Sequence, residues 1–155
     1  MRARGFTLIE MLVVLAIMGI LAAAARPLLE LTVRRMHETE LRLALRTLRG
    51  GIDAFKRAAD AGNVASPADG NGYPATLQAL VVGVPDLRSP NGRKIYFLRS
   101  LPRDPMADAT QPAAETWALR ASDSPPDDPR PGRDVFDVHS RAEGKALDGS
   151  LYKQW

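Results

Sequence analysis

The polar and apolar positions of this chain change rhythm twice. From Phe6 to Ala25 the residues are almost continuously apolar, and Glu10 is the one ionisable side chain among them. A helix of about twenty such residues spans roughly 30 Å, the thickness of a bilayer's hydrocarbon core. From Leu41 the apolar residues become periodic: Leu41, Leu45, Leu48, Ile52, Phe55 and Ala59 recur at spacings of four and three. That is one face of an amphipathic helix, which needs a sheet to bury it. Glu38, Arg42, Arg46 and Arg49 lie off that face, with Glu38 and Arg42 in the favourable i,i+4 sense. Gly50-Gly51 is expected to interrupt the helix.

Beyond Ala59 the rhythm is lost. Asp60 to Gly72 is rich in Gly, Asn, Asp, Ser and Pro and predicts a loop. A short apolar helix is expected from Thr76 to Val82. Strands are expected at Glu115–Ser122, where Trp117, Leu119 and Ala121 alternate with Thr116, Ala118 and Arg120, and at Asp134–Ser140. The proline-rich stretch SPPDDPRPG between them is expected to be a loop with Asp127 and Asp128 solvated, and Trp117 is expected in the core.

Length and charge narrow the function. The 155 residues make one domain, and subtracting an N-terminal helix leaves about a hundred for it. The formal charge of +3 depends on the first residues, because removing Arg2 and Arg4 takes the basic count from 21 to 19 and the charge to +1. No basic stripe is interleaved with aromatics, so no nucleic-acid partner is expected. There is no cysteine, which excludes a disulfide framework and a thiolate metal site. His37 and His139 have no partner His or Cys cluster. No nucleophile–base signature and no Gly-rich phosphate loop is present, so an enzyme is not expected. A membrane-anchored periplasmic enzyme is the remote alternative.

The N-terminus reads as an address. A secretory signal peptide has a basic region, an apolar region and then a small-residue cleavage site. Here a candidate cleavage point, Gly5, precedes the apolar run, although Ala22 to Ala25 imitates the ordinary site. Arg2 and Arg4 would keep the N-terminus in the cytoplasm. An acid inside an apolar span is expensive and marks a function by default. Its other reading is a carboxylate that snorkels near a helix end.

The residues GFTLIEMLVVLAIMGILAAAARP, Gly5 to Pro27, resemble the type IV pilin and pseudopilin family. The resemblance implies cleavage between Gly5 and Phe6 by a prepilin peptidase, N-methylation of Phe6, and an assembly contact between the Phe6 amine of one subunit and Glu10 of its neighbour. Pro27 is where pilin-like helices bend or locally melt. The other reading is a span that ends there, with a new helix starting near Pro27. Gly72-Tyr73-Pro74, Leu77, Ala79-Leu80-Val81, Tyr96 to Leu98 and Leu101-Pro102-Arg103-Asp104-Pro105 are similar to the major pseudopilins, the G subunits, of type II secretion. The chain departs from that pattern at Met106-Ala107-Asp108 and in a longer insert, Asp123 to Gly132. The tail, Ser140 to Trp155, resembles the loop that binds one Ca²⁺ in those proteins, and the match places the ligands at Glu143 and Asp148. The other reading of the tail is a turn held by its own hydrogen bonds and by Trp155.

The resemblance implies an α+β, type IV pilin-like fold. A long N-terminal helix, its first half transmembrane, packs on a small antiparallel β-sheet with a variable α/β loop. The expected divisions are a leader at 1–5, a transmembrane and filament-core helix at 6–26, and a periplasmic head at 27–155 that includes the amphipathic half of the helix. The implied function is a structural subunit of the type II secretion pseudopilus, held in the inner membrane with its N-terminus cytoplasmic. Its implied partners are further copies of itself, minor pseudopilins, the prepilin peptidase, the inner-membrane platform with its cytoplasmic ATPase, and membrane lipid. A type IV pilus or DNA-uptake pilin is the alternative, although such pilins usually carry a cysteine-closed C-terminal loop.

Overall fold

The computed structural model describes residues 7–66 and 71–155, with the backbone alone at 24–28. The described residues fall into two compact units that divide between Met36 and His37. Helix α1, Leu8–Asp60, belongs to both. It runs without a break through positions 27, 50 and 51.

The second unit is built on the predicted stripe. Leu41, Leu45, Leu48, Ile52 and Phe55 are all buried, and Ala59 packs at the edge of the same cluster. Facing them are Leu77 and Leu80 from the segment around α2, Ala79–Val82, together with Val64, Trp117, Val135, Val138 and Tyr152. Two small antiparallel sheets complete the head. Strand β1, Val84–Pro85, pairs with β2, Lys94–Ile95, through Val84↔Ile95. Strand β3, Trp117–Arg120, pairs with β4, Asp137–Ser140, from Trp117↔Ser140 to Arg120↔Asp137. The fold class is α+β, a long N-terminal helix packed on small antiparallel sheets.

Gly50-Gly51 does not interrupt the helix. Gly50 is exposed, whereas Gly51 is buried and makes room for Leu98: a Cβ at 51 would lie 2.9 Å from Leu98 Cγ. The glycine's helix penalty is offset by the close approach of a large apolar side chain. Trp117 is fully buried, and its indole N–H donates to Pro102 O at 2.9 Å. Both longer strands are shorter than the alternation predicts. At their ends Asp134 takes over from the ladder, accepting from Ser122 N at 2.8 Å and from the Ser122 hydroxyl at 2.6 Å. The short apolar helix also starts later than expected, at Ala79, after a turn at Thr76.

Candidate functional site

The first candidate site is the start of α1. Gly5 and Phe6 lie outside the described residues. Glu10 sits in the first turn, where its carboxylate is engaged with Thr7. Thr7 N and Thr7 Oγ1 donate to the same oxygen, Oε2, at 2.8 and 2.9 Å, and Glu10 N donates back to Thr7 Oγ1 at 3.3 Å. This reciprocal pair is a capping box, in which a Thr and a Glu three residues later satisfy donors that the helix cannot. The sequence reading missed Thr7, although the T-x-x-E spacing carries the signal.

The apolar residues around Glu10 have no cover. Every described side chain from 7 to 23 and from 29 to 36 is exposed. Leu8, Ile9, Leu15, Ile20 and Leu21 each keep more than three-fifths of their surface open, and they point in all directions around the helix. A helix that is apolar all round requires lipid or other protein around it. Among the described residues no helix is long and apolar enough to cross a membrane.

The second candidate site is the tail, which closes on the polar side of α1. Leu147 N and the Tyr152 hydroxyl both donate to Glu38 Oε1, at 2.8 and 2.9 Å. Arg49 donates to Asp137 Oδ1 at 2.7 Å, to Val138 O at 3.0 Å and to Trp155 O at 2.8 Å. Arg42 reaches Asp148 Oδ2 at 3.0 Å. Asp148 also accepts from Ser150 Oγ and N at 2.5 and 3.0 Å. The Ser150 donors first, and then Arg42, hold the Asp148 carboxyl below its ordinary pKa. Glu143 is exposed.

The LPRDP segment is a structural corner. Asp104 is fully buried and accepts from the Ser140 hydroxyl at 2.5 Å and from Met106 N at 2.8 Å. Arg103 gathers the next turn by donating to the carbonyls of Asp108, Ala109 and Gln111. Asp104 thus ties β4 to the corner, which also holds Trp117 through the Pro102 carbonyl. In the insert, Asp128 pairs with Arg130 on the open surface.

Residues 1–25 match the family described as the prokaryotic N-terminal methylation motif. The chain is 32% identical over 109 residues to the type II secretion system core protein G of Klebsiella pneumoniae, covering 67% of this chain and 69% of that protein. It belongs to the G-type pseudopilin family. No solved structure matches it. The capping box of Thr7 and Glu10 lies within the residues that match the methylation motif.

Proposed function

We propose that this pseudopilin is a structural subunit of the type II secretion pseudopilus. Its precursor sits in the inner membrane with the head periplasmic, is cut between Gly5 and Phe6, is methylated on Phe6, and polymerises. The uncovered apolar surface of α1 carries this reading, because it has to be covered first by lipid and then by neighbouring helices. Minor pseudopilins and the inner-membrane platform act on the same assembly, and a separate cytoplasmic ATPase supplies the energy. The chain performs no catalysis of its own.

Glu10 has two duties in this scheme. Through Oε2 it closes the helix start with Thr7, and through its negative charge it pairs with the Phe6 amine of the next subunit. Cleavage creates that amine, which is cationic near neutral pH. Two opposite charges in an apolar surrounding attract strongly, so one pair per subunit can fix axial register.

Two substitutions test the charge duty. Glu10→Gln keeps a capping-box acceptor and removes the charge. Glu10→Ala removes both. Both variants should accumulate as cleaved protein and fail to form filaments that can be sheared off and pelleted. Assembly of Glu10→Gln at wild-type yield would sink the charge-pair register. Wild-type secretion in a strain lacking this chain altogether would sink the subunit reading.

A further inference from the structure

The family resemblance implies a Ca²⁺ in the C-terminal loop, held by Glu143 and Asp148. Calcium takes six to eight oxygen ligands, drawn from carboxylates, carbonyls and water, and binds more tightly as the number of charged ligands rises. The donors here do not fit that demand. Both oxygens of Asp148 are engaged by internal donors: Oδ1 by Ser150 and Oδ2 by Arg42. Among the described residues no group of three or more His, Cys, Asp or Glu could hold a metal. A divalent ion on Asp148 would also stand beside a guanidinium of like charge, which repels it.

The positive charge is already there, and it comes from α1. The Arg42 guanidinium lies 3.0 Å from Asp148 Oδ2. Its central carbon also lies 4.1 Å from the centroid of the Trp155 ring. The planar, weakly hydrated guanidinium suits both contacts, one N–H to the carboxylate and a stack on the indole. The remaining links close a ring. Trp155 Nε1 donates to Ser150 Oγ at 2.7 Å, and Ser150 Oγ donates to Asp148 Oδ1 at 2.5 Å. The loop is also drawn tight along its own backbone, with Ala146 N to Ser150 O at 2.7 Å.

We propose that the Arg42 guanidinium serves as the resident cation of this C-terminal loop, making the closure of the tail on α1 independent of metal. The charge cannot dissociate, because it is attached to the helix that the loop must find. The head therefore keeps its fold when calcium is scarce, and chelators do not loosen it. This holds whether or not the chain assembles into a pseudopilus, because the test reads stability alone.

The test is thermal unfolding of the protein purified in detergent, followed by circular dichroism, in EDTA and in millimolar calcium. The wild-type curves should coincide. Arg42→Ala should lower Tm by about 3–6 °C in both solutions, through loss of an exposed ion pair and a cation–π contact. Arg42→Lys should recover only part of it. Arg42→Ala and Asp148→Ala combined should lower Tm by less than the sum of the two. Tryptophan fluorescence, to which Trp117 and Trp155 both contribute, gives a second reading on folded protein: the emission should change in Arg42→Ala, whose guanidinium stacks on Trp155, and not on addition of EDTA. A wild-type Tm that rises by several degrees with calcium would overturn the proposal. So would an Arg42→Ala variant with unaltered Tm and unaltered tryptophan emission.

Discussion

Removing the Glu38 carboxylate should loosen the tail more than a surface position on a helix would lead one to expect. Glu38 is only 7% exposed, and its Oε1 receives both Leu147 N and the Tyr152 hydroxyl. In Glu38→Ala the two donors fare differently. Leu147 is exposed, so water can replace the carboxylate at its N–H. Tyr152 is buried, and its hydroxyl is left without this acceptor. A hydrogen bond to a charged acceptor contributes about 1.5–3 kcal/mol. The expected loss is therefore about 2–3 kcal/mol. For a head of this size that is a fall in Tm of roughly 8–12 °C. Tyr152→Phe removes the donor and leaves Glu38 its bond from Leu147, so it should cost less, about 1–2 kcal/mol. Because the two residues share one interaction, the double variant should fall short of the sum by about 1 kcal/mol. Urea unfolding of the wild type, both single variants and the double variant measures all four corners. A Glu38→Ala loss below about 0.5 kcal/mol, or strict additivity, would refute the buried anchor.

The two glycines of α1 should respond in opposite directions. Gly50→Ala has open space and gains helix propensity, stabilising by about 0.5–1 kcal/mol, whereas Gly51→Ala drives into Leu98 and should destabilise by about 1–3 kcal/mol; chemical denaturation of the pair reads both signs. His139 should make the head sensitive to mild acid. Burial, aided by Arg49, Arg120 and Arg141 against the opposing Asp137, holds its pKa below the ordinary value. The unfolded chain therefore takes up the proton first. Stability should be full above about pH 6.5 and decline as pH falls below it, and His139→Gln should remove that step from a Tm series.

The apolar stripe from Leu41 to Phe55 was fully legible, because a buried helix face repeats locally and needs no knowledge of its partner. The polar side of the same helix was not. Glu38 and Arg42 look like a solvated ion pair at i,i+4, yet Glu38 is anchored by Tyr152, 114 residues later, and Arg42 by Asp148, 106 residues later. A helical wheel carries no trace of a tail that arrives from so far along the chain. Gly51 failed for the same reason, since the Leu98 that explains it comes from another segment. Strands β1 and β2 have two residues each, too few for any alternation to register. The ends of β3 and β4 were overextended because Asp134 and Ser122 settle by side-chain bonds what a longer ladder would settle by backbone. At the N-terminus, Glu10 was singled out as a costly acid. The simpler T-x-x-E signal beside it, which gives the carboxylate a structural partner in Thr7, was overlooked.

The most direct test of the central claim is the intact mass of the protein extracted from its native membrane. A processed pseudopilin subunit predicts loss of residues 1–5 and the gain of one methyl group on Phe6. A full-length mass, or a chain cut near Ala25, would contradict it.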